Sequence, residues 1–271
     1  MINIARFALS ISLALLTGQT AFTAALAAEP TPSASGSGVI QLTPYFWAAS
    51  MKGDISPFRR GATLHVDKSF SNILKDLDFG GFLQLWARRD RWVLSGDLMY
   101  VATSSGRTSG QLPLLPPPLP AVSSVGAKVS TKEFTASLMA GYRLYDAPAV
   151  TFDLLGGVRT WHISNKVTVW ADSLSGSYHE SFGWVDPAVG ARVFFRLNER
   201  FTTLLQGDVG GFGAGSRHSR HLLATLNYSF NDYLTLSAGY KTLSVDYHRH
   251  GHVFDTTLAG PVLGLTYARR F

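Results

Sequence analysis

The chain has 271 residues, with 24 Lys+Arg against 18 Asp+Glu for a formal charge of +6, and no cysteine. This length accommodates one large all-β domain or two small ones, and without cysteine the fold must rest on hydrogen bonds and packing rather than disulfides. Beyond the N-terminal stretch, no window approaches the ~18 uninterrupted apolar residues of a transmembrane helix, which leaves a soluble exported chain or one that crosses a membrane as strands.

The N-terminus reads as an export signal. Arg6 precedes an apolar run from Phe7 to Leu16, and Ala25-Leu26-Ala27 fits the small-x-small rule of signal peptidase. The run is short for a bilayer span and no stop-transfer charges follow it. Residues 1–27 are therefore expected to be a cleaved signal peptide, residues 28–37 a flexible Pro/Ser-rich leader, and residues 38–271 the folded domain. Export excludes nucleic acid as a partner. The basic excess is expected to meet lipopolysaccharide phosphates and other outer-membrane lipids, or to pair inside the domain.

From residue 38 onward the hydrophobic period is two. Along Ser130–Leu144, Phe134, Ala136, Leu138, Ala140, Tyr142 and Leu144 share one face, opposite Glu133, Thr135, Ser137 and Arg143. Along Gly183–Leu197, Val185, Pro187, Val189, Val193, Phe195 and Leu197 oppose Trp184, Asp186, Arg192 and Arg196. The same alternation recurs around Leu94–Leu98, Phe152–Val158, Leu222–Phe230, Leu234–Tyr240 and Leu263–Tyr267. These runs exceed the ~5–6 residues typical of a sandwich strand.

The connections alternate as well. Short turns at Arg89–Arg91, Asp146–Ala147, Asn198–Arg200 and Asn231–Asp232 alternate with longer loops near 104–127, 171–178, 213–219 and 248–252. Short periplasmic turns and longer external loops are the pattern of an outer-membrane barrel. Counting back from a periplasmic C-terminus gives an all-β, antiparallel up-and-down transmembrane β-barrel of ten strands, near 38–50, 80–90, 92–104, 128–145, 149–170, 179–197, 200–212, 217–230, 233–247 and 252–271. Misreading one hairpin would make the count eight or twelve. Residues 51–79 become an external loop, with a short helix over Ser69–Leu77 capped by Ser69 or Ser71.

A charged side chain at the lipid midplane costs about 2–4 kcal/mol for Arg or Lys. The face carrying Asp97, Glu133, Arg143, Asp153, Arg159, Asp186, Arg192, Arg196, Asp208 and Lys241 must therefore point inward. With both signs present, this set is expected to pair across the lumen and fill it, or else to line a pore. Trp92, Tyr100, Tyr142, Phe195, Tyr228, Tyr240 and Tyr267 lie near strand ends on the outward face and suit interfacial aromatic girdles.

Leu263, Leu265, Tyr267 and the terminal Phe271 resemble the signature read by the barrel-assembly machinery, although Arg269 departs from the usual apolar residue there. The run from Trp184 to Arg192, the stretch from Gly207 to Ser216, and Thr43-Pro44-Tyr45-Phe46-Trp47 resemble an uncharacterised proteobacterial branch of the small opacity-like and porin-like outer-membrane barrels. The resemblance covers most of residues 38–271 and implies fold and location rather than activity.

Several motifs invite chemistry. The glycines of 207–216 open no helix and lack a following Lys-Ser/Thr, so they suit curvature or an aromatic neighbour rather than a phosphate. His248, His250 and His252, with His218 and His221 nearby, could hold a metal but equally suit a solvated loop. Asp76-Leu-Asp78 and Asp246-Tyr-His248 invite comparison with omptin proteases, yet alternation turns Asp246 and His248 outward. His162 with Ser164, or His179 with Glu180 and Ser181, offers serine–histidine pairs with no surrounding motif. Leu112–Pro120 must be an extended, polyproline-like segment. The expectation is a non-enzymatic barrel with a filled lumen and a structural or surface-interaction role, requiring no cofactor and no metal. A narrow solute channel is the alternative, and an outer-membrane hydrolase the third reading.

Overall fold

The computed structural model describes residues 38–110, 124–171 and 174–271. The expected signal peptide and leader and the proline-rich segment lie outside the described residues. Twelve strands and one helix follow in chain order: β1 Gly38–Trp47, β2 Ser50–Ser56, β3 Leu64–Lys68, α1 Phe70–Asp76, β4 Leu77–Arg89, β5 Trp92–Gly110, β6 Ser124–Asp146, β7 Val150–Ala171, β8 Leu174–Arg196, β9 Phe201–Gly210, β10 His218–Ser229, β11 Leu234–Arg249 and β12 His252–Arg270. Each of β4–β12 pairs antiparallel with its sequence neighbour, β1 pairs with β4, and the β1–β12 pairing closes a ten-strand barrel.

The turns are specified locally. Asn198 Oδ1 accepts from the backbone N–H of Arg200 and Phe201, and Asn231 Oδ1 does the same for Tyr233 and Leu234. A side chain that mimics a backbone turn in this way tolerates only the tightest connection. These are the periplasmic turns. On the opposite side β6 and β8 each run for 23 residues, about twice the 9–11 that cross a bilayer, so their outer halves stand clear of the membrane.

The outward face carries Leu42, Leu98, Leu138, Leu154, Val189, Leu205, Leu226 and Leu263 as a continuous apolar belt. A soluble domain would not present so large a patch, whereas a bilayer covers it. Trp92 and Tyr142 stack edge to face near the periplasmic rim, with ring centroids 5.5 Å apart.

Two expectations change. Residues 51–79 are not one loop: β2 continues along β12 above β1, β3 pairs with β2, and α1 follows. The cause is the length of β12, whose edge extends well past the end of β1 and must be satisfied. The outer connections are also shorter than read, because β5 continues to Gly110, β6 starts at Ser124, and β11 and β12 meet across His250–Gly251. Polar residues there mark solvated strand rather than loop. The helix forms as expected, with Ser69 at its N-cap accepting from Asn72 N–H.

Candidate functional site

All ten charged residues singled out in the sequence lie on inward-facing positions of the wall. They form separate groups rather than one network. Toward the periplasm, Arg143 Nε donates to Asp153 Oδ1 at 2.8 Å, and both side chains are essentially inaccessible. Asp146 lies 3.4 Å from Arg143 Nη1 and 3.7 Å from Arg88 Nη1. Arg192 spans the lumen to lie over the Trp86 ring, 4.4 Å from its centroid, with Nη1 3.9 Å from Asp153.

One level outward, Arg159 Nη2 lies 2.9 Å from Asp208 Oδ1, and His221 Nδ1 lies 3.0 Å from Asp208 Oδ2. Lys241 Nζ donates to Asp97 Oδ1 at 2.9 Å and also to Tyr45 Oη, while Tyr45 Oη donates to Asp97 Oδ2 at 2.9 Å. The same ammonium sits over the Tyr45 and Trp47 rings, 4.7 and 5.0 Å from their centroids. Charges taken out of water are tolerated only when each finds a close opposite partner, and this level meets that condition.

Above the charges lies an aromatic layer. Trp184 stacks on Tyr247 at 3.9 Å between centroids, Phe182 on His252 at 4.1 Å, and Trp161 on Trp184 at 5.5 Å. Trp161 also reaches Phe254 on the far wall at 6.2 Å. The alternation placed Trp184 inward, but that rings from four strands meet here depends on level along the barrel, which alternation does not give.

The outer mouth is folded over. The turn between β9 and β10 bends inward, and Ser216 donates its backbone N–H and its hydroxyl to Asp186 at 2.7 and 2.8 Å. Glycine is required there. A side chain on Gly215 would meet Val185 O at 2.5 Å and Trp184 Cδ1 at 2.7 Å, and Gly211 holds φ +88°. From the other side, the segment after β2 crosses the mouth: Arg59 N–H donates to Glu180 at 2.9 Å, Asn165 Nδ2 donates to Pro57 O at 3.0 Å, and Phe58 packs on Tyr178 at 5.1 Å.

Two of the charges do not pair as expected. Asp186 serves Ser216 and Trp184 Nε1 rather than an arginine, because the turn's N–H groups reach it first. Glu133 makes no hydrogen bond or ion pair among the described residues, and its Oε1 is sealed from solvent. Arg192 lies over Trp86 and near Asp153, and Arg196 lies partly buried at the periplasmic end of β8. Leu263, Leu265, Tyr267 and Phe271 are all exposed, the first three on the outward face of β12 and Phe271 at the chain's end.

The alternative constellations do not assemble in the lumen. Asp76 bonds Lys68 and Asp78 bonds Ser104, whereas Asp246 and His248 lie on the outer face of β11. Asp246, His248 and Asp255 could offer ligand atoms within 4.8 Å of one another on that exposed face. The histidines divide between faces, with His221 and His252 buried inside and His248 outside. Ser164 Oγ lies 2.9 Å from His179 Nε2, also on the exposed outer face.

Two of the cavities among the described residues bear on these groups. One, of about 100 Å³, rises from the periplasmic end past Gln41, Thr225 and Asn227 to the Tyr45–Asp97–Lys241 cluster. The other, of about 210 Å³, lies above that cluster behind β1–β5 and is mostly apolar.

A closed ten-strand barrel with an apolar outer belt and a polar interior is an outer-membrane β-barrel. No family model matches the chain, and no curated protein matches it. Among solved structures it is similar to the outer membrane protease OmpT from Escherichia coli, at 10% identity over 88% of this chain and 99% of that one, with a TM-score of 0.51. It also matches the translocator domain of the autotransporter NalP from Neisseria meningitidis, at 10% identity over 87% of this chain and 89% of that one, TM-score 0.45. A third match is Ail, the attachment invasion locus protein of Yersinia pestis, at 12% identity over 87% and 100%, TM-score 0.34. At these identities the likeness is one of fold.

Proposed function

We propose that this protein is a non-enzymatic outer-membrane barrel whose lumen is sealed, and whose role is structural or surface-interacting through its long outer half. One observation carries the reading. The Tyr45–Asp97–Lys241 cluster and the Arg159–Asp208–His221 group occupy the same level of a lumen that ten strands make narrow. Outer-membrane lipids and lipopolysaccharide phosphates are the surface partners proposed, with the C-terminal Leu263–Phe271 signature engaging the assembly machinery. The periplasmic cavity favours the channel alternative only if the cluster moves aside, since it ends against Asp97 and Lys241. Liposome swelling in isotonic small sugars tests the reading. Swelling no faster than in protein-free vesicles is expected, and sugar-dependent swelling would promote the channel.

A further inference from the structure

The wall of the barrel is interrupted on its outer half. β1 pairs with β4 only as far as Pro44 opposite Leu83. Proline has no N–H to continue the ladder, and from Leu77 to Phe82 the edge of β4 pairs with β5 alone. On the other side of the break, β2 turns its free edge to β3. Between β3 and β4 the chain passes through α1, so on this side the wall is a seven-residue helix held by side-chain packing, which can part, rather than by a strand ladder. Phe46 on β1 packs against Phe70 of α1, ring centroids 5.7 Å apart. Phe46, Phe79 and Tyr100 put the break at the level of the outer aromatic girdle.

Behind this break lies the apolar cavity of about 210 Å³. Trp47, Met51, Ile55, Phe82, Met99 and Val101 are among its apolar lining residues. Its floor includes Trp47 and Phe82, which pack on Lys241 and Tyr45 of the cluster, and its roof includes Pro57 and Asn165, joined by the Asn165 Nδ2–Pro57 O hydrogen bond. With floor and roof closed, the side wall is the way in. At about 210 Å³, the space suits on the order of ten non-hydrogen atoms.

One lining group does not belong in an apolar chamber. The Glu133 carboxyl faces it with no partner among the described residues, and the Trp47 indole N–H also lacks an acceptor. A buried carboxylate without a donor is costly, and every other inward acid of the set has one. The missing donor is what a ligand would supply.

We propose that this chamber is a binding site for a small apolar molecule carrying one hydrogen-bond donor, such as a medium-chain or aromatic alcohol. It enters through the β1–β4 break, with its hydrocarbon body against Phe82, Met99 and Val101 and its hydroxyl donating to Glu133. The sealed floor makes this a dead-end site for capture from the outer side rather than a passage.

The test uses full-length protein in lipid vesicles and two isomeric probes, 1-octanol and heptyl methyl ether, which share size and formula but only the first of which donates. Retention in protein-containing vesicles is measured by headspace partition against protein-free vesicles. Wild type is expected to bind octanol saturably and on the order of tenfold more tightly than the ether, as one hydrogen bond to an otherwise unpartnered buried acceptor implies. Glu133→Leu should remove the preference and, by replacing an unpartnered buried carboxyl with an apolar group, leave the fold intact. Glu133→Gln, which keeps an acceptor, should retain part of it. Val101→Phe, which fills the chamber, should abolish binding of both probes. Equal affinity for the two probes in wild type, an unchanged preference in Glu133→Leu, or no saturable binding would overturn the proposal.

Discussion

Lys241 on β11 and Asp97 on β5 lie 144 residues apart in sequence and meet at 2.9 Å across the lumen. The two strands sit nearly opposite each other in the ring of ten, so this contact draws far walls together and closes the space between them. Tyr45 completes the cluster by accepting from the ammonium and donating to the carboxylate. Lys241→Met should leave Asp97 held only by Tyr45, loosen the floor, and let small ions through. Single-channel noise rising in Lys241→Met and falling again in the Lys241→Met/Asp97→Leu pair would show that the charge imbalance is the cause.

The Arg143–Asp153 pair is the most thoroughly buried of the ion pairs. Arg143→Ala strands a carboxylate inside the wall, and breaking such a pair costs about 3–5 kcal/mol. Arg192 lies 3.9 Å from Asp153 and should soften the loss toward the lower figure, while Asp146 loses one of its own partners. Urea unfolding of refolded protein should show the drop. Arg143→Met/Asp153→Leu should regain most of it, since two apolar groups leave no charge uncompensated.

The inward turn between β9 and β10 depends on Asp186. Replacing Ser216 with Ala removes one of its three hydrogen bonds, worth about 1 kcal/mol, and Asp186→Leu removes all three. Trypsin cleavage after the exposed Arg217 should therefore be slow in wild type, modestly faster in Ser216→Ala and much faster in Asp186→Leu. Equal rates would mean that the turn is held by something other than this carboxylate.

The sequence has no cysteine, so single substitutions report topology without background. Ser105, Ser175 and Gly251 lie on the long outer side, and Asp232 lies in a periplasmic turn. An impermeant thiol reagent applied to whole cells should label cysteines at the first three and spare the fourth. The reverse labelling pattern would invert the barrel.

The strand faces were legible because side chains alternate with period two, and a bilayer penalises any charge on the wrong side. Asp153 and Glu133 show where that reasoning stops. Both are inward acids, yet Asp153 lies against two arginines, whereas Glu133 lines an apolar chamber together with Phe82 and Met99. Alternation gives the face of a residue and not its height, and height depends on the stagger between strands, which the whole ring sets together. β2 and β3 were missed for a related reason. Met51, Gly53 and Ile55 do alternate with Lys52 and Asp54, but a run of seven residues carrying a glycine becomes a strand only because β12 presents an open edge. The break beside Pro44 was equally hidden, since it depends on where β4 loses its second neighbour.

The central claim is that the lumen is sealed, and planar-bilayer recording of the purified wild-type protein tests it most directly. The account predicts a bilayer that stays at baseline conductance, apart from brief, small openings, across the usual voltage range. Steady, large openings that pass sugars or organic ions through wild-type protein would contradict it.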